Sequence, residues 1–158
     1  KKFFFWFIIA LGLFALIQSI LVFGKDDNKD EVVVDEPQQT IIDELVIDDE
    51  ENIRELLKLE FTDLNYNVFT VKNAFDGLNH IKENHVDLVI LDVKMPGMDG
   101  IEALEKIISI KRDLPIVIHS AYSHYKENYL TWSATSYVVK SSDLSELKTT
   151  VNGILLNT

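Results

Sequence analysis

Five side chains stand where they could act together on one group: Asp48, Asp49, Asp92, Ser120 and Lys140. Each follows a short apolar run. Asp48 and Asp49 come after Leu45–Ile47, Asp92 after Leu88–Leu91, Ser120 just beyond Ile116–Ile118, and Lys140 directly after Tyr137–Val139. Three carboxylates converging on one rim repel each other, and their pKa values rise unless a cation joins them. Oxygen ligands with water in the remaining positions suit Mg²⁺. A lysine adds a mobile positive charge and a hydroxyl adds a donor. Together they could neutralise the oxygens of a phosphoryl group in transfer to a carboxylate. Any one of the acids, taken alone, is as well explained as the cap of a following helix. Capping does not account for five positions at once.

These residues converge only if the runs before them lie side by side. The strand candidates are Leu45–Ile47, Val68–Val71, Leu88–Leu91, Ile116–Ile118 and Tyr137–Val139. Helical patterns fall between and after them, at about 50–62, 74–84, 99–110, 123–133 and 143–156. In the first, Ile53, Leu56, Leu57 and Leu64 form the apolar side, with Arg54 and Lys58 at polar i, i+4 positions. Leu88–Leu91 is apolar throughout, as a strand covered on both faces should be. Strands alternating with helices predict an α/β fold with a doubly wound parallel sheet. In such sheets the site lies beyond the carboxyl ends of the strands.

The rest of the chain is different material. Six of the nine Phe lie within the first 23 residues, and residues 3–23 form an apolar run broken only by Gln18 and Ser19. A helix of that length spans roughly 30 Å, the thickness of a bilayer core. A retained membrane anchor over residues 1–24 is the preferred reading, because no small-x-small cleavage site precedes Lys25. A cleaved signal peptide and a buried helix are the rivals. Residues 25–40 hold six acids, two Lys and Pro37 without helical period, and read as a solvated linker. Residues 41–158 are then the globular domain. The formal net charge of -11 offers no footprint for nucleic acid. Cys is absent, which removes disulfides, thiolate metal sites and cysteine nucleophiles.

The globular part resembles the receiver domain of bacterial two-component response regulators from about Leu45 to Leu156. The pieces that carry the likeness are LVIDDEENIRELL at 45–57, DLVILDVKMPGMDGIEAL at 87–104, IVIHSA at 116–121 and YVVK at 137–140. The resemblance implies a flavodoxin-like, five-stranded parallel sheet in the order 2-1-3-4-5. It implies that Asp92 accepts a phosphoryl group from a sensor histidine kinase or phosphotransfer protein. Asp49 and Asp92 would bind Mg²⁺ through side chains, Asp48 through water, and Lys94 through its backbone carbonyl. Ser120 and Lys140 would contact the phosphoryl group, and Tyr137 would be an aromatic switch moving with Ser120. Such a domain is a phosphoacceptor that assists its own phosphorylation and dephosphorylation rather than an enzyme acting on an outside substrate.

Three features depart from the family pattern. Ser141 stands where Pro usually follows the lysine, which predicts a trans bond there. The segment between Ser120 and Tyr137 is short, which predicts a shortened or irregular fourth helix. Glu44 falls where the first strand is usually apolar, which predicts a short strand or one starting at the sheet edge.

No output module is expected after the last helical pattern near Leu156, so output is expected as a surface change read by another protein or by a second copy. Tyr122, Tyr125, Tyr129 and Trp132 form one stripe of the fourth helical pattern, and with Tyr137 they are the expected partner surface. The resemblance implies that the residues two past the acceptor and two past the hydroxyl flank the path of hydrolytic water. Here they are Lys94 and Tyr122, neither a carboxylate nor an amide, which predicts slow self-dephosphorylation. His80, His85, His119 and His124 share no metal-ligand spacing and read as structural or exposed. Gly97 and Gly100 fit a tight turn after Asp92. Lysines on both sides of the apolar run leave its orientation open, and the receiver chemistry places residues 25–158 in the cytoplasm, on an inner-membrane anchor. The alternative is a receiver-fold adaptor that acts by binding alone.

Overall fold

The computed structural model describes residues 41–123 and 131–156. The expected anchor, the linker and most of the 123–133 pattern lie outside these residues. Among the described residues, no helix is long and apolar enough to cross a membrane.

Five strands form one parallel sheet: β1 (Asp43–Ile47), β2 (Asn67–Val71), β3 (Leu88–Leu91), β4 (Ile116–Ser120) and β5 (Ser136–Val139). Their order is β2-β1-β3-β4-β5, as the family resemblance implies. Four helices are described: α1 (Glu51–Thr62), α2 (Ala74–Glu83), α3 (Gly100–Ile110) and α4 (Ser145–Leu155). Strand alternation divides the core in two. Leu45, Ile47, Val89, Leu91, Ile116 and Ile118 pack with Leu78, Ile81, Leu104 and Ile107 of α2 and α3. Val46, Leu88, Ile90, Val117 and Val138 face the other way, onto Leu57 and Phe61 of α1 and Leu147 and Val151 of α4. Both faces of the sheet are covered, so β1 and β3 have no polar face to show.

The apolar side of α1 differs from its expected composition. Ile53, Leu57 and Phe61, spaced i, i+4, i+8, face the sheet, and Phe61 stacks on Tyr66 with centroids 5.8 Å apart. Leu56 and Leu64 are each 39% exposed, and Leu64 lies past the end of the helix. Two good stripes compete on this sequence, and the one with the larger aromatic payload is buried.

Glu44 also departs from expectation. β1 is neither short nor at an edge: it is second in the sheet, with Glu44 paired to Val68 on one side and Leu88 on the other. Ladder bonds from two neighbours hold the strand straight through a residue with poor strand preference. Alternation turns the Glu44 side chain to the Val46 face, where it is fully buried and neither carboxylate oxygen has a hydrogen-bond partner. Burial pushes its pKa up to about 8. Tyr66 lies close enough that its phenol is raised by burial and by the Glu44 charge, and its hydroxyl donates to Asn152 Oδ1 of α4.

The folded-state pKa of Glu44 lies above its unfolded value, so the stability tied to its proton is complete below about pH 4.5 and is lost as pH rises through about 8. Glu44→Gln cannot ionise. Urea unfolding from pH 5 to pH 8.5 should show wild-type stability falling by roughly 2–4 kcal/mol more than that of Glu44→Gln. Parallel curves would mean that Glu44 does not titrate in this range.

Candidate functional site

The ladder bonds run one residue past the strands and lock the backbone of each site residue. Asp48 N donates to Val71 O at 3.2 Å, Asp92 N to Ile47 O at 2.9 Å, and Lys140 N to Ser120 O at 2.9 Å. Side chains that follow β1, β3 and β5, with Ser120 at the end of β4, therefore share one rim. Asp48 and Asp92 are buried there, Ser120 is fully buried, and Asp49 is exposed. One ligand oxygen from each of Asp48, Asp49 and Asp92 lies within 4.8 Å of the others. The expected metal-binding acids thus come together, and an all-oxygen set of this size suits a hard divalent cation. Lys94 sits two residues past Asp92 and is exposed.

Lys140 is the counterweight. Its Nζ lies 2.8 Å from Asp48 Oδ2, 3.0 Å from Glu50 Oε1 and 3.5 Å from Asp92 Oδ1. Burial would lower the lysine pKa, but hydrogen bonds to Asp48 and Glu50 and the charges of Asp48 and Asp92 outweigh it, and the value is raised. Burial dominates at the acids. Asp48 is raised despite its bonds to Lys140 and to the Glu50 backbone N–H. Asp92 is pushed up to about 6 by burial, with Lys140 opposing and Asp48 adding to the rise. A carboxylate held near this value keeps its charge at neutral pH while remaining basic enough to be a nucleophile. His119, buried on β4, is pushed down to about 4 by burial and by the Lys140 charge, so it is neutral.

Local structure fixes the loops. Arg54, expected on the polar side of its helix, folds back: its Nη1 donates at 2.8 Å to the carbonyls of both Asp48 and Asp49. Asp99 caps α3 by accepting from Ile101 N at 3.0 Å and Glu102 N at 2.9 Å. Met95 and Met98 anchor the turn after Asp92 in the core. The two glycines are required there. Gly97 has φ 86°, and a Cβ at Gly100 would meet Asp92 O at 2.1 Å. The described peptide bonds include no cis bond, as expected from Ser141 after Lys140.

Ser120 and Tyr137 meet at the backbone of Tyr122. Ser120 Oγ accepts from Tyr122 N at 3.5 Å, and the Tyr137 hydroxyl donates to Tyr122 O at 2.5 Å. Of the aromatic stripe, Tyr122 is 45% and Trp132 74% exposed, while Tyr125 and Tyr129 lie outside the described residues.

Sequence reasoning missed two things here. Glu50 on Lys140 joins residues 90 apart, which no local pattern reveals. At the opposite end of the sheet His85 Nδ1 lies 3.7 Å from Asp43 Oδ2 and 3.6 Å from Asp87 Oδ1. Asp43 opens β1 and Asp87 immediately precedes β3, and that parallel placement was the one available signal. Asn67 holds the other Asp43 oxygen and the Asp43 N–H holds the other Asp87 oxygen, so the group ties strand beginnings together.

Residues 45–152 match the response regulator receiver domain. The response regulator ArlR of Staphylococcus aureus is 37% identical over 113 residues, which are 70% of this chain and 51% of the relative. The chain thus spans about half the length of the curated relatives it matches. The response regulator TrrA of Thermotoga maritima, in complex with Mg²⁺ and beryllofluoride, superposes with a TM-score of 0.70 at 42% identity, covering 72% of this chain and 99% of TrrA. TrrA has also been solved in complex with the histidine kinase ThkA, and there it aligns with 73% of this chain and 99% of its own at 43% identity and a TM-score of 0.70. The chemotaxis protein CheY4 of Vibrio cholerae shares the fold at 24% identity and a TM-score of 0.68, over 73% of this chain and 99% of that one. By this match and by the flavodoxin-like sheet that carries it, the chain belongs to the response regulator receiver domain family.

Proposed function

We propose that Asp92 accepts a phosphoryl group from the phosphohistidine of a sensor histidine kinase or phosphotransfer protein, in a reaction that requires Mg²⁺. One observation carries this reading: three acids with ligand oxygens within 4.8 Å of each other share a rim with a half-buried lysine, Lys140. The TrrA complexes with Mg²⁺–beryllofluoride and with a histidine kinase support the cofactor and the partner. Asp48, Asp49 and Asp92, with the Lys94 carbonyl, would hold the ion, which when bound supplies positive charge to the phosphoryl oxygens. In the transfer an Asp92 carboxylate oxygen forms a bond to phosphorus. The N–P bond breaks, and its electron pair returns to the donor imidazole. Lys140 offers its ammonium to a phosphoryl oxygen and Ser120 its hydroxyl. Ser120 then draws on Tyr122, whose carbonyl holds the Tyr137 hydroxyl, and so the two switch residues move together.

The remaining parts of the reading rest on sequence and exposure. The apolar run 3–23 supports a membrane anchor in the inner (cytoplasmic) membrane, with the receiver domain facing the cytoplasm. Exposed Tyr122 and Trp132 support a downstream partner, or a second copy, at the 123–133 segment and β5. The charge of -11 supports output without nucleic-acid contact by this chain.

Asp92→Asn should abolish labelling by radioactive acetyl phosphate, and Asp49→Ala should weaken Mg²⁺ binding at least about tenfold in calorimetry. Labelling of Asp92→Asn equal to wild type would remove Asp92 as the acceptor. Tyr122→Ala should speed loss of the label, by roughly threefold or more if the aromatic ring screens the acyl phosphate from water. An unchanged lifetime would end the screening argument. A reporter fused at Thr158 should be active in the cytoplasm, and activity in the periplasm alone would overturn the placement.

A further inference from the structure

Glu50 occupies the N-cap position of α1 with extended backbone angles, yet its side chain makes no capping bond. An acid there would ordinarily accept from the first helical N–H groups and meet the positive end of the helix dipole. Its carboxylate crosses instead to Lys140, 3.0 Å away. The Lys140 ammonium has three donors. It hydrogen-bonds Asp48 and Glu50, while Asp92, the proposed acceptor, is the farthest of the three acids at 3.5 Å.

The three acids differ in what release would cost. The Asp48 side chain is 3% exposed and the Asp92 side chain 5%, so an unpaired charge on either is expensive. The Glu50 side chain is 61% exposed and can return to water. Glu50 also stands outside the set of oxygens that converge from Asp48, Asp49 and Asp92. A metal ion would draw on Asp48 and leave Glu50 as the remaining competitor for the lysine. The backbone gives Glu50 little freedom, because its N–H donates to Asp48 Oδ1 at 2.9 Å and Arg54 clamps the two preceding carbonyls.

We propose that Glu50 is a positioning residue that holds Lys140 in the unphosphorylated protein and releases it when a phosphoryl group occupies Asp92. The contact sets how readily the site fills. It rests on the reading of Asp92 as phosphoacceptor and adds a retaining carboxylate to it.

The test uses the full chain, beryllofluoride as the phosphoryl mimic and Mg²⁺. Glu50→Gln keeps the shape and removes the charge. It should tighten beryllofluoride binding at saturating Mg²⁺ by about threefold or more, the size of a partly exposed ion pair. Thermal stability without ligand should stay near wild type, and Mg²⁺ affinity should change by a smaller factor. Glu51→Gln makes the same change of net charge at the next residue, which is exposed and has no contact to Lys140 among those described. It should leave beryllofluoride affinity unchanged. Equal tightening by both variants would reduce the effect to general surface charge and overturn the proposal. Unchanged or weaker binding by Glu50→Gln would overturn it as well, since the contact would then be neutral or would support the filled site. A wild-type protein that neither binds beryllofluoride nor takes label at Asp92 would instead remove the phosphoacceptor reading, and the role of Glu50 with it.

Discussion

One ammonium among crowded carboxylates is the constraint on which the rim of this sheet depends. Asp48 and Asp92 are taken from water, and burial raises both of their pKa values. Without Lys140 at 2.8 Å and 3.5 Å the pair would be pushed further toward the neutral acids. The surrounding structure holds this arrangement in register. Ladder bonds fix the backbones of Asp48, Asp92 and Lys140, Arg54 clamps the turn after β1, and Gly100 lets α3 begin against the carbonyl of Asp92. The parallel sheet does the long-range work. Residues 48, 92 and 140 are far apart in the chain and neighbours at one strand end only because β1, β3, β4 and β5 run the same way.

The two ends of the sheet spend stability differently. At the carboxyl end each buried charge has a partner, and the strain is electrostatic and shared. Nearer the amino end, Glu44 is buried with two unpartnered oxygens, and its burial resolves through protonation rather than pairing. Asp43, Asp87 and His85 sit at the strand beginnings, partly or largely exposed, where water screens them. A single acid in an otherwise apolar face costs stability without serving the rim, and none of the hydrogen bonds described here relieves it.

Much of this was legible because the periods are simple. Short apolar runs at regular spacing gave five strands, and the residue past each run falls at the rim by the geometry of a parallel sheet. The observed strands only add a residue or two, as in Asp43–Ile47 and Ile116–Ser120. What sequence could not resolve was competition between similar local choices. On α1, Leu56 and Leu64 fit an apolar stripe about as well as Phe61, and packing against Tyr66 decided between them. Glu44 predicts a short β1 or one starting at the sheet edge, but bonds to β2 and β3 outweigh one residue's preference. Contacts over long separations, such as Glu50 with Lys140 and Arg54 with the carbonyls before its own helix, depend on where side chains bend. Periodicity carries no such information.

One peptide, that of Tyr122, stands between buried Ser120 and the Tyr137 hydroxyl. Tyr122 offers its N–H to Ser120 at 3.5 Å, a weak bond, and its carbonyl to Tyr137 at 2.5 Å, a close one. Ser120 serves Tyr122 only as an acceptor, so its one proton could go to a new acceptor at Asp92, and turning the hydroxyl toward it would stretch a bond that is already long. The weak bond would yield first, and the strong one would carry the displaced peptide and the tyrosine ring together. Ser120 is fully buried, whereas Tyr122 is 45% exposed, so a shift too small to disturb the core would still alter the surface. A densely packed interior resists continuous deformation. A shift of Ser120 would therefore reach the surface through the Tyr122 peptide rather than through the core.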